Sequence, residues 1–158
     1  MAQSLAEFGG EELFAAAPER LFDALTNLDA LAASIPELVS AEKVDERTLK
    51  CVVKPGFSFL RGTLKLTIAI AELEPPAAAA MNIAGQGIGA SIEIASRLNI
   101  EPADSGSRLK WQASIERASG LLATVPSGLV KAAADQTIRN AWQRVREKLG
   151  EPPAAAAT

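Results

Sequence analysis

The fold turns on residues 126–149, PSGLVKAAADQTIRNAWQRVREKL. Leu129, Ala133, Thr137, Ala141, Val145 and Leu149 recur every fourth residue, and Val130, Ala134, Ile138 and Trp142 form a second stripe beside them. This is helical spacing, not strand alternation. Pro126 suits a first turn, where a missing N–H costs nothing, and Ser127 is an alternative cap. Gly150, Pro152 and Pro153 end the run. Bulky side chains stand at Leu129 and Val130 and again from Ile138, but the turn between them is Ala132-Ala133-Ala134. Small residues there leave space under the helix, where a helix that only sealed a core would fill it. Alanine is also a strong helix former, and both readings stand at this point.

Working outward, the preceding chain reads as strands. Leu64, Leu66, Ile68 and Ile70 alternate with Lys65, Thr67, Ala69 and Ala71 across Thr63 to Glu74, and Pro75-Pro76 ends that strand. Leu49, Cys51 and Val53 give a shorter strand before it. After it, Met81 and Ile83, then Ile92, Ile94, Leu98 and Ile100, then Leu109, Trp111, Ala113 and Ile115 fall on inward phases. The glycines Gly85, Gly87 and Gly89 are expected to mark a turn between two of these strands. Successive hairpins imply an antiparallel sheet with one dry face, and the last helix is the only element long enough to cover it. At the other end, Ser4 to Phe14 reads as a strand bent at Gly9-Gly10. Pro18 then opens a helix carrying Leu21, Phe22, Leu25 and Leu28, and Asp29 is expected to cap a second short helix with Leu31 and Ile35 inward. The order is strand, two short helices, about six strands, long helix: an α+β chain whose curved antiparallel sheet of about seven strands wraps one C-terminal helix, the helix-grip arrangement. Residues 1–149 form that domain, and 150–158 are expected to be a Pro/Ala tail.

The totals narrow the chemistry. A 158-residue chain with 48% hydrophobic residues and a net charge of −3 is one domain of ordinary composition. Its first 46 residues hold ten acids against two bases, whereas residues 126–149 hold five bases against two acids. That dipolar, acidic surface argues against nucleic acid. A single cysteine, Cys51, excludes an internal disulfide and a thiolate metal cluster, as suits a reducing cytoplasm. No leader pattern opens the chain, and no run has the length of a membrane span. Histidine and tyrosine are both absent, which removes the commonest general base, imidazole metal sites and every triad that uses His.

The remaining motifs each admit a structural reading. Gly85-Gln86-Gly87-Ile88-Gly89 is followed by strand-like alternation, not by the helix that a phosphate loop needs, so it reads as a hairpin. The acidic pairs Glu11-Glu12, Asp45-Glu46 and Glu72/Glu74 read as solvated surface. Ser96 falls on an inward phase, and Gln136 and Asn140 stand one helical turn apart; these either orient a ligand's polar end or satisfy local groups. Phe57 and Phe59, in PGFSFLRG, lie between strands as a pocket mouth, an exposed patch or hairpin packing. Trp111 and Trp142 read first as core.

APERLFDALTNLDALAASIPEL, CVVKPGFSFLRGTLKL, Pro75-Pro76, GQGIGASIEIASRLNIEP and SRLKWQASIERASGLLA, in that order and spacing, resemble the carbon monoxide dehydrogenase G-subunit family of the helix-grip superfamily (START/Bet v 1-like, polyketide cyclase). The resemblance spans about residues 3–149. It implies a non-enzymatic accessory protein of a molybdenum hydroxylase, without a cofactor of its own, that links the enzyme to the membrane and encloses a hydrophobic cavity. The implied partners are the polypeptides of the hydroxylase and an apolar molecule such as a quinone or lipid, with a cytoplasmic location peripheral to the inner face of the membrane. Members often continue into a Pro/Ala linker and a membrane-seeking segment, where this chain has only EPPAAAAT. The residues expected to line the cavity are Ile35, Phe57, Phe59, Leu66, Ile68, Met81, Ile92, Ile94, Ser96, Trp111, Leu129 and Ala133. The alternatives are a docking adaptor or assembly factor without a ligand, and a cyclase or aromatase-like enzyme.

Overall fold

In the computed structural model, residues 6–54, 62–87, 89–104 and 106–150 are described. Phe57, Phe59 and the expected tail beyond Gly150 lie outside them. Strand β1 (Ala6–Phe14) is followed by helices α1 (Pro18–Thr26) and α2 (Leu28–Ala33). Strands β2 (Leu38–Asp45), β3 (Thr48–Val53), β4 (Leu64–Glu74), β5 (Ala78–Gly87), β6 (Ala90–Ala103) and β7 (Gly106–Gly120) come next. A 3₁₀ turn, Leu121–Thr124, then leads into α3 (Ser127–Lys148). These seven strands form one antiparallel sheet in the order β1-β7-β6-β5-β4-β3-β2, so the first strand pairs with the last. This is the helix-grip fold.

The pairing register aligns the inward side chains in rows. Leu49, Ile68, Ile83, Ile94, Ile115 and Ala6 make one row from β3 to β1, and Cys51, Leu66, Gly85, Ile92 and Ala118 make the next. On the other side of the first row run Ile70, Met81, Ser96, Ala113 and Phe8, then Ala79, Leu98, Trp111 and Gly10. Each row is a set of cross-strand neighbours close enough to pack, which is what stabilises a one-sided sheet.

Three expectations are corrected here. Gly85 and Gly87 lie within β5, not in a turn. A Cβ on Gly85 would stand 2.9 Å from Leu66 Cδ2 and 3.2 Å from Ile92 Cγ2, so glycine lets those two side chains close over the strand. Helix α2 is capped by Asn27, not Asp29: Asn27 Oδ1 accepts from the backbone N–H of Asp29 (3.0 Å) and of Ala30 (3.2 Å), satisfying two first-turn donors. The cover of the sheet is divided among three helices. α3 packs mainly along β1, α1 sits over β6 and β7, and α2 lies against β2 and β3. α1 buries Leu21, Phe22 and Leu25, which accounts for much of the core that one terminal helix was expected to seal.

The N-terminal half of α3 faces the core with the second stripe, and its last turns face it with Trp142 of the second stripe and Val145 of the first. Val130, Trp142, Val145 and Arg146 are buried, with Ala134, Ile138 and Leu149 packed against the core beside them. Leu129 is 54% exposed. The C-terminus of the helix is held by Arg20, whose Nη2 donates to Leu149 O (3.2 Å).

Candidate functional site

Because the three helices cover the two ends of the sheet, the middle of its inner face is thinly covered. Leu66, Ile83, Ile92 and Ile94 all sit on the inward phase, yet each is only partly buried. Their register neighbours Ile115 and Ala118 border an apolar cavity of about 400 Å³ bounded by Ala6, Leu122, Ala123, Val125, Ser127 and Val130. The 3₁₀ turn and the first turn of α3 form its roof. The aliphatic rows of the sheet and the cavity are therefore continuous, Ile94 pairing with Ile115 and Ile92 with Ala118.

The expected lining residues divide accordingly. Leu66, Ile92 and Ile94 lie on the thinly covered face, and Ile35 is partly buried beside α2. Ile68 and Met81 are buried core beneath and beside them, each 6% exposed. Ser96 lies in the Met81 row with its hydroxyl donating to Met81 O (3.1 Å), so its proton is used by the sheet. Leu129 points to solvent and does not line the cavity; the roof position belongs to Val130, one residue on, because at this end the helix turns its second stripe to the sheet. Ala133 is partly buried, one turn beyond the cavity. Gln136 and Asn140 bond each other on the exposed side of α3 (2.9 Å) and do not reach the interior. Burial among aliphatic neighbours pushes the Cys51 thiol up from 9.0 to about 11, which makes it inert near neutrality.

Three larger concavities, of about 750, 630 and 790 Å³, lie along the outward side chains of the sheet. Their linings mix charged side chains such as Lys50, Lys65, Glu72 and Arg97 with residues of the inward rows, among them Leu66, Ile92 and Trp111.

The residues that sequence reasoning missed are at the seam of β1 and α3. Glu12 faces inward, with its side chain 14% exposed, and Arg146 is 4% exposed. Arg146 Nη2 donates to Glu12 Oε1 (2.7 Å) and to Leu13 O (3.0 Å), and its guanidinium lies 4.5 Å from the Phe14 ring centroid. Arg139 Nη1 lies 3.7 Å from Glu12 Oε2, and Arg139 Nε donates to Asp135 Oδ2 (2.9 Å). The Asp135 bond raises the pKa of Arg139 further, so this cation does not titrate. Trp111 meets Trp142 edge-on at 5.8 Å and Phe8 at 6.0 Å, with the Arg139 guanidinium 5.6 Å from its ring. The phases were visible: Glu12 is two residues from Phe14 on β1, and Arg146 is one turn from Trp142. The expectation that every acid and every helix-end base is solvated hid them.

A family model for the G subunit of carbon monoxide dehydrogenase (CoxG) matches residues 10–150. The chain belongs to the CoxG family. Solved structures similar to this CoxG-family chain share its fold at low identity. A conserved protein from Geobacillus kaustophilus is similar at 16% identity with a TM-score of 0.84, covering 92% of this chain and 95% of that one. A START superfamily protein from Mycobacterium smegmatis is 14% identical with a TM-score of 0.66, over 92% and 97% of the two chains. Ara h 8.0201 is 17% identical with a TM-score of 0.68, over 90% and 96%. No curated protein sequence matches the chain. Among the described residues, no helix is long and apolar enough to cross a membrane.

Proposed function

We propose that this chain is a non-enzymatic accessory protein of a molybdenum hydroxylase of the carbon monoxide dehydrogenase type. It holds an apolar molecule, a quinone or a lipid, against its inner sheet face, and it links the enzyme to the inner face of the membrane. One observation carries the reading: Leu66, Ile83, Ile92 and Ile94 are inward-facing but thinly covered, and their rows run into an apolar cavity of about 400 Å³. Sites for small apolar ligands are concave, mostly aliphatic or aromatic, and at least roughly 300 Å³ in volume. The family match supports the hydroxylase as partner. The lack of histidine and tyrosine in the chain, and the engagement of the Ser96 hydroxyl with Met81, favour binding over catalysis.

The test begins with natively purified protein, extracted into organic solvent for mass spectrometry, followed by titration with a naphthoquinone and with a phospholipid. A lipophilic molecule in the extract, and weaker binding by Ala118→Phe, which projects a ring into the cavity, are the expected results. No extractable molecule together with no binding of either probe would overturn the reading.

A docking role without a ligand is the second reading. Arg144 and Lys148 are exposed on the last turns of α3, and Arg146, which the sequence placed beside them on the surface, is not available for docking. Capture of the hydroxylase that survives Ala118→Phe but is lost on Arg144→Glu with Lys148→Glu favours this role.

A further inference from the structure

Much of the outer sheet face is laced by ion pairs. Arg97 meets Glu72 and Glu74, Arg108 meets Glu11 and Glu101, Lys110 meets Glu101, and Arg117 meets Glu93. Lys65 on β4 stands outside this lacing, exposed and with no acid partner among the described residues. Its cross-strand neighbours are Val52 on β3 and Gln86 on β5, and two residues to either side in its own chain stand Thr63 and Thr67, so all four are uncharged. On the diagonal is a second cation, Lys50, the partner of Thr67. Glu42 faces Lys50 from β2, on the side away from Lys65. The positive charge of Lys65 is therefore not offset where it stands.

That cation borders open space. Lys65, Thr63, Gln86, Ser91 and Ser119 surround the concavity of about 630 Å³, together with Gly87, Gly89, Gly120 and Ala90. Among the described residues that border it, Lys65 is the only charged one, and none is a large hydrophobe. Lys65, Gln86, Ser91 and Ser119 also border the adjoining concavity of about 750 Å³, which adds Lys50. These four residues are one cross-strand row: Lys65 lies opposite Gln86, Gln86 opposite Ser91, and Ser91 opposite Ser119. Side chains of one row project to the same face from strands about 4.8 Å apart, so the row is a rank of polar groups along the open space.

The donors select the occupant. Lys65 brings an ammonium with three N–H groups, and Gln86 an amide with two. The Ser91 and Ser119 hydroxyls bond each other, so one donates to its partner and the partner keeps a proton for a ligand. Donors thus approach from β4, from β5 and from the β6–β7 pair, with a single cation among them. A carboxylate offers two oxygens, whereas a phosphate monoester offers three strong acceptor oxygens and a charge between one and two. The space is within the range of a small-molecule site, far larger than a phosphate alone fills. Its amide and hydroxyl lining, without a large hydrophobe, suits a hydroxylated body behind the phosphate.

We propose that Lys65, Gln86, Ser91 and Ser119 bind the phosphate-monoester group of a polyol phosphate, carried by a soluble molecule or by a lipid headgroup. Lys65 supplies the charge, Gln86 and the free serine proton supply neutral donors, and Thr63 faces the polyol. This site is separate from the apolar cavity: its row points to the outer face of the sheet, whereas Ile115 and Ala118 carry the cavity on the inner one. It does not depend on the carrier reading.

The experiment titrates the full nitrogen-labelled chain with glycerol 3-phosphate, with glycerate, which replaces the phosphate by a carboxylate, and with glycerol. Glycerol 3-phosphate moves the backbone amide signals of Lys65, Gln86, Ser91 and Ser119, glycerate binds more weakly, and glycerol moves none of them. Lys65→Gln weakens glycerol 3-phosphate about tenfold, the loss expected of a hydrogen bond to a charged group. Lys110→Gln, on the same face but paired with Glu101, keeps the affinity within about twofold, as a screened exposed pair should. Both lysines are exposed, and unchanged amide signals away from the row verify that both variants fold. Sedimentation with vesicles of phosphatidic acid in phosphatidylcholine separates the sources: binding lost in Lys65→Gln assigns the lipid headgroup, and row shifts with glycerol 3-phosphate but no vesicle binding assign the soluble ester. Row signals unmoved by glycerol 3-phosphate, together with no Lys65-dependent vesicle binding, would overturn the proposal. So would equal losses in Lys65→Gln and Lys110→Gln, or glycerate binding as tightly as the phosphate. Each of these results leaves the carrier reading intact.

Discussion

Replacing Glu12 with alanine leaves the Arg146 guanidinium buried without its counter-ion. Arg146 is 4% exposed, its Nη2 bond to Glu12 is 2.7 Å long, and its Nη1 already has no partner among the described residues. Removing one member of a buried ion pair costs about 3–5 kcal/mol, because the remaining charge keeps its desolvation penalty and loses its attraction. In a domain of this size that corresponds to a fall in Tm of about 6–20 °C. The neighbouring residue is an internal control: Glu11 points to the other face and lies 3.6 Å from Arg108, with the two side chains 59% and 45% exposed. Glu11→Ala should cost about 0–1 kcal/mol, as exposed pairs do. Arg146→Met should cost less than Glu12→Ala, since Glu12 keeps Arg139 at 3.7 Å, and the Glu12→Leu/Arg146→Met double variant should recover most of the loss. Urea unfolding at pH 7, with the midpoint and the slope both fitted, measures all four. If Glu12→Ala and Glu11→Ala cost the same within about 0.5 kcal/mol, the seam is not a buried ion pair and the reasoning fails.

Cys51 gives a pH test. Its thiol is pushed up from 9.0 to about 11, so stability is complete below pH 9 and declines toward pH 11 as the unfolded chain ionises first, a contribution of about 3 kcal/mol at most. At pH 8 the native thiol should alkylate about 100-fold more slowly than in urea, and native and unfolded rates within threefold of each other would contradict the burial. Two glycines should respond oppositely to alanine. At Gly106, with φ +153°, a Cβ would meet Phe14 O at 2.0 Å and Ala15 backbone at 2.8 Å, and Gly106→Ala should destabilise by at least about 3 kcal/mol. At Gly128, inside α3, a Cβ meets nothing within 4 Å, and Gly128→Ala should stabilise by about 0.5–1 kcal/mol by the same urea assay.

The long helix, the strand phases and the order of elements were legible in the sequence, because each is a periodicity of one element and a one-sided sheet enforces its period. The sequence expectation failed where two elements decide together. α3 carries two adjacent apolar stripes, and only its packing along β1 selects Val130 over Leu129. Arg146 looks like any cation at a helix C-terminus until Glu12, far away in the chain, is placed beside it. The division of the cover among α1, α2 and α3 was hidden for the same reason: Leu21, Phe22 and Leu25 announce an amphipathic helix without naming the strands beneath it. For the candidate site, the phases of Leu66, Ile92 and Ile94 were readable, whereas the degree to which each stays uncovered depends on how three helices share one face. Phe57 and Phe59 lie outside the described residues.

The pairing of β1 with β7 also sets the order in which the chain can acquire its structure. Roughly 100 residues separate Ala6 from its neighbour Ile115, a loop whose closure is entropically costly. On the ribosome, strands β2 to β6 can pair as successive hairpins while β1 waits for β7, the last strand of the sheet to be made. The seam of Glu12 with Arg146 comes later still, because α3 follows β7. Such non-local pairings slow folding, so Phe8 and Phe14 stay exposed until the sheet closes on β7.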